Sequence, residues 1–138
     1  MAMAEELILN IVTPDKLAFS GKVDYLTIPG AEGEFGVFMG HAALLSGVNA
    51  GELSYTTEDG SKTYFAVDTG FVEVLPGKVT VLVEAAERAD AIDREEVTQA
   101  REEALELLSQ LSRESVTGDA LRAEIARMEV WLKVSEKV

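Results

Sequence analysis

The segment 30–45, GAEGEFGVFMGHAALL, contains the residue types in this chain that most resemble a chemical site. It holds four glycines, the carboxylates of Glu32 and Glu34, and His41, which is the only histidine of the protein. Paired carboxylates serve acid–base catalysis, a histidine can activate a nucleophile, and glycine-rich loops can cradle phosphate. A loop of this composition can also be a surface that another protein recognises.

Each catalytic interpretation of this segment requires further residues in a pattern that the sequence does not contain. No Gly-x-Ser-x-Gly frames a nucleophile for His41, so a hydrolase triad is not predicted. Glu32 and Glu34 alternate in an extended segment and therefore share one face, which we expect to face water. The glycines lack the Lys-Ser/Thr of a Walker A loop, so we interpret them as sharp corners between strands. We predict no catalytic residue and no cofactor.

Composition narrows the class of partner. The chain has 12 Lys and Arg against 25 Asp and Glu, a net charge of −13, which argues against nucleic acid and anionic lipid as partners. It has no cysteine, and the acidic run 90–96 is better interpreted as a solvated helix start, so no metal site is predicted. No apolar run approaches the roughly 20 residues that cross a bilayer, so no direct membrane insertion is expected.

The first part of the chain alternates short apolar runs with turn signals. Asp59-Gly60 and Pro76-Gly77 are typical of tight turns between antiparallel strands. The pattern predicts a β-sandwich or barrel with strands at 7–12, 23–28, 51–57, 62–67, 71–75 and 78–85.

Segment 30–45 is interpreted as a turn-rich loop of this β domain. Its exposed candidates are Phe35, Phe38 and Met39. For Val37, Leu44 and Leu45 we expect burial beneath the loop.

After Ala85 the apolar period becomes helical. Asp93 and Glu96 have the spacing of a capping box. The first helix is predicted to bury a stripe of Val97, Ala100, Ala104, Leu107 and Leu111. Gly118 is expected to lie in a break over 112–119, with Thr117 or Asp119 capping a second helix whose stripe is Leu121, Ile125, Met128 and Leu132.

Two amphipathic helices joined by a short break predict an antiparallel hairpin. We expect a β-sandwich domain over 1–86 and a helical hairpin domain over 87–138. The seam between the helices holds few large apolar residues, so the hairpin should be held weakly and be able to detach.

The order of motifs along the chain resembles a known family. LTIPGAEGEFGVFMGHAALLSGVNAGEL (26–53) is similar to the signature of the epsilon subunit of bacterial F-type ATP synthase. The resemblance extends through LILNIVTPDKLAFSGKVDYLTIPG before it, FAVDTGFVEVLPGKVTVLVEAAERADAID after it, and the two predicted helices. Met39 and Ala43 stand where members often have proline. The resemblance implies a ten-stranded β-sandwich followed by an antiparallel helix hairpin.

The resemblance also implies a function. Such a subunit is non-catalytic, sits in the central stalk and links the gamma subunit to the c-subunit ring, coupling the proton gradient to ATP synthesis. It would lie peripherally on the cytoplasmic face of the bacterial cell membrane. The residues that would face the c ring are Glu32, Gly33, Glu34 and Phe35, and those toward gamma are His41, Ala42, Leu44 and Leu45.

In this family the helical tail can extend into the alpha/beta hexamer and inhibit ATP hydrolysis. Arg122, Arg127 and Lys133 would then meet acidic loops of beta subunits. The alternative is that these cations pair with Glu124 and Glu129 on the helix surface.

Some members bind ATP through Ile/Leu-Asp-x-x-Arg-Ala at the start of the first helix. This chain keeps Ile92 and Asp93, which remain weak candidate ATP contacts, but has Glu96 and Val97 in place of the arginine and alanine. A carboxylate there should repel triphosphate, so weak or no ATP binding is predicted. A nucleotide-sensing module is the alternative function.

Overall fold

The computed structural model describes residues 6–111 and 115–137. Ten strands come first: β1 (Leu7–Val12), β2 (Leu17–Val23), β3 (Tyr25–Gly30), β4 (Gly33–Phe38), β5 (Leu44–Val48), β6 (Gly51–Thr56), β7 (Lys62–Val67), β8 (Gly70–Leu75), β9 (Lys78–Val83) and β10 (Ala86–Arg88). A 3₁₀ turn (Ala89–Ala91) leads to α1 (Arg94–Ser109) and α2 (Val116–Ser135).

The strands form a nearly closed sandwich. Their order is β10-β7-β6-β3-β5-β8-β9-β1-β2, with β4 paired to β3. The pairings are antiparallel except for β1 and β9, which run parallel with Ile8 opposite Lys78. The predicted fold of a β-sandwich followed by two helices is confirmed.

The core of the sandwich is built by strand alternation. In β1, Leu7, Leu9 and Ile11 are buried while the residues between them are half-buried. The largest fully buried side chains of the described chain all belong to strands. Burial raises the pKa of Tyr55, whose ring stacks on Phe19 with centroids 4.5 Å apart.

Segment 30–45 is not the loop that the sequence predicted, because β4 and the start of β5 run through it. Only Gly33 (φ 128°) and Gly40 (φ 81°) lie at corners. Gly30 and Gly36 lie inside strands, where a Cβ would overlap the Phe35 ring and the Tyr25 ring. These two glycines therefore permit close packing of aromatic rings across the β3–β4 pair.

The helices begin at side-chain caps. The Asp93 carboxylate accepts a hydrogen bond from the Glu96 backbone N–H at 3.1 Å, as the capping spacing predicted. The predicted start of the second helix was wrong: α2 begins at Val116, and Ser115 caps it by accepting from the Gly118 N–H at 3.2 Å. Gly118 is tolerated because it lies in the capped first turn. Residues 112–114 of the predicted break lie outside the described residues.

The two helices pack antiparallel. Arg94 at the start of α1 donates to the Leu132 carbonyl near the end of α2 at 3.1 Å. Ala104 is the buried residue of α1, whereas Leu107, which was predicted to line the seam, is 47% exposed. Arg101 of α1 is half-buried and forms an ion pair with Glu129 of α2 at 3.5 Å.

The hairpin docks on the sandwich through α2, which packs on β6 and β7. A second, smaller apolar cluster forms this contact, made of Ala66, Ala89, Ile92, Trp131 and Val134. No helix in the described part of the chain is long and apolar enough to cross a membrane.

Candidate functional site

The β3–β4 hairpin ends in an acidic tip, which we define as residues 31–34. Gly30 pairs with Gly33, so Ala31 and Glu32 form a two-residue turn. The Ala31 N–H donates to the Gly47 carbonyl at 2.9 Å and fixes the tip against β5. Glu32 and Glu34 are exposed, as predicted, but Gly33 between them is exposed as well, and Glu32 lies in the turn rather than in an extended segment. The tip presents two solvated carboxylates on a well-anchored turn.

Phe35, which directly follows the acidic tip, is less exposed than the residues of the tip. Its side chain is half-buried and packs against the main core, and Val37 is fully buried. The sequence interpretation was therefore correct for Val37, but Phe35 contributes to the core more than to an exposed surface. Phe38 and Met39 are 64% and 44% exposed, in line with the prediction.

His41 and Ala42 lie at the opposite end of β4 from the acidic tip, about 20 Å away along a six-residue strand. The Gly40 N–H donates to the Pro76 carbonyl at 2.7 Å and holds this corner against the β8–β9 turn. The His41 Nδ1–H donates to the Ala42 carbonyl at 2.7 Å. Within the described residues no hydroxyl or carboxylate is hydrogen-bonded to the imidazole, so the geometry offers no nucleophile–base pair.

Leu44 and Leu45 are not buried as the sequence interpretation expected. Leu44 is 39% exposed and Leu45 is 73% exposed. Leu45 lies opposite Glu73 on the solvent face of β8, because a residue and its cross-strand partner share one face of a sheet. Its hydrophobic side chain is thus part of the outer surface.

Leu45 adjoins an outer apolar row that the sequence reasoning missed. The row consists of Phe71, Leu82, Val12 and Leu17, which follow one another across β8, β9, β1 and β2 by register. Phe71, Leu82 and Leu17 are 62%, 50% and 58% exposed. The alternation of inward-facing and outward-facing residues along β8 and β9 could have indicated two members of the row, since Phe71 and Leu82 occupy solvent-facing positions of their strands. Exposed large apolar residues on β8, β9 and β2, aligned through the half-buried Val12 of β1, are typical of a protein-binding surface.

The candidate tail cations have partners in the docked hairpin. Arg127 contacts Asp68 of the β7–β8 turn at 3.3 Å and Glu124 at 3.7 Å, so the predicted pairing with Glu124 is confirmed. Glu129, the other predicted partner, pairs instead with Arg101 of α1. Arg122 pairs with Asp119 at 2.7 Å. Lys133 is exposed and lines a cleft between α2 and the sandwich.

That cleft joins the tail to the acidic tip. It is lined by Glu34, Gly51, Glu52, Val130, Lys133, Val134 and Lys137. Glu34 and Glu52 therefore lie on the sandwich side of a groove whose helical side carries two lysines.

A further cleft of about 310 Å³ lies between the start of α1 and α2. Glu87 and Glu96 line it together with Arg127 and Trp131, and the Trp131 Nε1–H donates to Glu87 at 2.9 Å. Ile92 is buried, and the Asp93 carboxylate is occupied in capping α1. No cluster of three or more metal-ligating side chains occurs within residues 6–111 and 115–137.

Comparison with known proteins agrees with this arrangement. Residues 6–89 match the family model for the beta-sandwich domain of the ATP synthase delta/epsilon chain. The chain is 44% identical over 135 residues to the ATP synthase epsilon chain of Geotalea uraniireducens, covering 98% of this chain and 97% of that protein. It is 43% identical to the epsilon chain of Geobacter sulfurreducens, covering 98% of this chain and all of the relative.

A solved structure extends the likeness to three dimensions. The chain superposes with a TM-score of 0.71 and 26% identity on a chain of the Euglena gracilis mitochondrial ATP synthase OSCP/F1/c-ring structure, covering 99% of this chain and 81% of that chain. Because the family model covers the sandwich and the 44% identity extends over nearly the full length, this chain belongs to the family of ATP synthase epsilon chains.

Proposed function

We propose that this chain is a non-catalytic subunit of the central stalk of a proton-translocating F-type ATP synthase. It links the gamma subunit to the c-subunit ring and thereby couples the proton gradient to ATP synthesis. The complex would place it on the cytoplasmic face of the bacterial cell membrane. The observation that carries the proposal is the outer apolar row beside Leu45, on a sandwich whose family is that of ATP synthase epsilon chains.

The outer apolar row is assigned to the gamma subunit. Its large side chains remain in water in the isolated chain although the strands beneath them are rigidly paired. Covering them with another protein recovers about 25 cal/mol for each Å² of apolar surface removed from water. Leu45 extends this surface, and His41 and Ala42 lie just before β5, whereas Leu44 shares the face of the buried Val74 and reaches solvent only at the end of the strand.

The acidic tip is assigned to the c ring. Glu32, Gly33 and Glu34 project from a turn that is anchored to β5, so a partner's basic groups would meet carboxylates that are already positioned. Phe35, which packs on the core, would support the tip rather than contact the ring.

The tail is assigned a regulatory role in which it leaves the sandwich, enters the alpha/beta hexamer and inhibits ATP hydrolysis. Docking engages the candidate cations: Arg127 is paired with Asp68, and Lys133 faces a groove that contains Glu34 and Glu52. Release would free these cations for acidic loops of the beta subunits, and Arg122 would accompany them. Because the docking cluster is small, the free-energy difference between the docked and the released tail is small enough for binding to a partner to reverse it.

The nucleotide-sensing alternative has weaker support. The cleft at the start of α1 has two carboxylates, Glu87 and Glu96, on its lining, and the Asp93 side chain is committed to capping. We therefore keep weak or no ATP binding as a prediction. Submillimolar ATP binding by calorimetry that is abolished by Asp93→Ala would contradict it.

The experiment that tests the central proposal is co-purification with the gamma subunit of the same enzyme. Wild-type chain should bind gamma in a one-to-one complex, and Phe71→Glu should abolish binding because a carboxylate would be buried in the apolar contact. Leu107→Glu is the matched control, since Leu107 is an exposed apolar residue on α1, away from the sandwich surface. Equal binding by both variants, or no binding by the wild type at low and high salt, would refute the assignment.

A further inference from the structure

A basic cleft lies where the end of the tail meets the sandwich. It is lined by Lys62, Thr63, Tyr64, Arg88, Ala89, Asp90 and Lys137, and it encloses about 190 Å³. None of these residues lines the cleft of Glu87, Glu96 and Trp131 at the start of α1. The basic cleft is therefore a separate feature of the surface.

The cleft concentrates positive charge in an acidic protein. Three of the 12 basic residues converge on it, although acidic residues number 25. The ammonium groups of Lys62 and Lys137 lie 5.4 Å and 5.6 Å from the centroid of the same Tyr64 ring. Each gains a cation–π contact, but two like charges held near one ring also repel each other.

The carboxylates nearby neutralise this charge incompletely. Arg88 Nε lies 3.1 Å from Asp90, and Lys137 lies 3.8 Å from Glu52, which is too long for a strong hydrogen bond. Lys62 forms no ion pair with any residue in the described ranges. The ammonium group of Lys62 is thus open to a ligand. The weakly paired ammonium group of Lys137 and the Arg88 N–H groups that do not contact Asp90 are also open.

We propose that the basic cleft binds a multiply charged phosphate-type anion, inorganic phosphate or pyrophosphate. Its oxygens would accept hydrogen bonds from Lys62 and Lys137 and from the Arg88 guanidinium, which approach from different elements of the fold. Such an anion has several acceptor oxygens for donors in separate directions, whereas chloride is a single point charge. It also removes the repulsion between the two lysines over Tyr64.

The position of the cleft gives the anion a structural consequence. Lys62 and Arg88 belong to the sandwich, while Lys137 follows the last turn of α2. An anion held by all three groups connects the tail to the sandwich, so it binds the docked state more tightly than a released one. This second step rests on the proposed function, in which the tail can leave the sandwich, whereas the binding site itself does not.

The binding step is tested on the full-length chain by calorimetry and by amide chemical shifts. Inorganic phosphate and pyrophosphate are titrated at constant low ionic strength, with sodium chloride as the reference. We expect one-to-one binding of pyrophosphate, with shifts at Lys62, Tyr64 and Lys137. Lys62→Gln and Lys137→Gln should each weaken it about tenfold, because each removes one charge-assisted contact.

The control for this titration is Lys78→Gln, which removes the same charge from an exposed position on β9 outside the cleft. It should leave the affinity unchanged. Equal weakening by Lys78→Gln would mean diffuse charge attraction, and shifts confined to other residues, or no saturable binding, would overturn the site.

The coupling step has its own measurement. At a pyrophosphate concentration ten times the dissociation constant, hydrogen exchange of the α2 amides should slow by about tenfold in the wild type, and not in Lys62→Gln. Binding without any slowing would retain the anion site but refute its role as a connection between tail and sandwich. Failure of gamma co-purification would instead refute the central proposal and leave the binding result untouched.

Discussion

The sandwich and the helical hairpin of this chain are stabilised in different ways. Every residue of the main core cluster comes from a strand, and each strand is hydrogen-bonded to at least one neighbour. The hairpin has only a small apolar cluster, which it shares with Ala66 and Ala89 and with the partly buried Tyr64 and Ala85 of the sandwich side. One part of the molecule thus has a self-sufficient core and the other depends on its contact with that part.

Polar contacts reinforce this asymmetry. The hairpin is joined to the sandwich by the Trp131–Glu87 hydrogen bond and the Arg127–Asp68 and Lys137–Glu52 ion pairs. Partly exposed ion pairs contribute only about 0–1 kcal/mol each and weaken with salt. These polar contacts therefore add little to the docking of the hairpin, which supports the proposed release of the tail from the sandwich.

The strongest test of the independent stability of the sandwich is to remove the hairpin. Truncation after Ala89 should leave a sandwich that melts cooperatively and still binds gamma, because no residue of the main core is lost. In the assembled enzyme it should raise ATP hydrolysis if the tail inhibits. Thermal melting and ATPase assays provide the measurements. A truncated chain that no longer melts cooperatively would show that the hairpin is part of the core.

A buried leucine of the sandwich should contribute more to the free energy of unfolding than an exposed leucine of the hairpin. Leu26→Ala should lower the free energy of unfolding by about 2–5 kcal/mol, because Leu26 is fully buried and its loss leaves a cavity. Leu107→Ala removes the same atoms from a side chain that is 47% exposed, and it should cost well under about 1 kcal/mol. Denaturant unfolding compares the two, and similar losses would contradict the asymmetry.

The same contrast explains how much could be predicted from the sequence. The bounds of β1 and β7 follow from apolar runs that are rich in β-branched and aromatic residues and end at turn signals, and the Asp93 cap follows from its spacing to Glu96. Strands β2, β4, β5 and β10 were not recognised individually, because they contain glycines or are short. Gly36 looks like a corner in the sequence, and only the Tyr25 ring beside it shows why a strand needs it.

The candidate site was predictable in part. The exposure of the two carboxylates of the acidic tip was predicted, although the turn at Ala31 and Glu32 and not alternation accounts for it, and the exposure of Leu45 depends on β8 beside it. Alternation within β8 and β9 indicates that Phe71 and Leu82 face solvent, but their alignment with Val12 and Leu17 depends on four strands that include pairings distant in sequence. Recognition surfaces of this kind become visible only when the strand order is known.

The apolar contact of the tail is best tested at Trp131. Trp131→Ala should destabilise docking by about 3 kcal/mol, since a large buried ring is removed from a small cluster. Trp131→Phe keeps an aromatic ring but loses the hydrogen bond to Glu87 and part of the buried indole, so it should cost less, about 1–2 kcal/mol. Hydrogen exchange of α2 amides reports both, while β-strand amides serve as the internal reference. Loss of protection throughout the sandwich in Trp131→Ala would contradict independent stability.

A smaller effect is expected at Asp68. Asp68→Asn removes the charge that holds Arg127 but keeps an oxygen for the Thr69 N–H, so docking should weaken by about 0.5–1 kcal/mol. Glu124→Gln is the matched control, because Glu124 contacts the same arginine from within α2. The difference between the variants should shrink in high salt. An equal effect of both on α2 hydrogen exchange would remove Asp68 from the docking contact.

The smallest effect concerns a turn of the sandwich that the tail does not touch. The Thr57 hydroxyl donates to Asp59 at 2.6 Å and the Ser61 N–H donates at 2.9 Å, and these bonds lower the pKa of the Asp59 carboxyl. Because the folded pKa lies below the unfolded one, the stabilisation is present above the unfolded pKa and disappears as pH falls through the folded pKa.

NMR titration should show a low Asp59 pKa that Thr57→Val raises toward the ordinary aspartate value. The docking of α2 should not respond to Thr57→Val. A response there would show that the sandwich transmits local changes to the hairpin, which a rigid support with a separately held tail does not do.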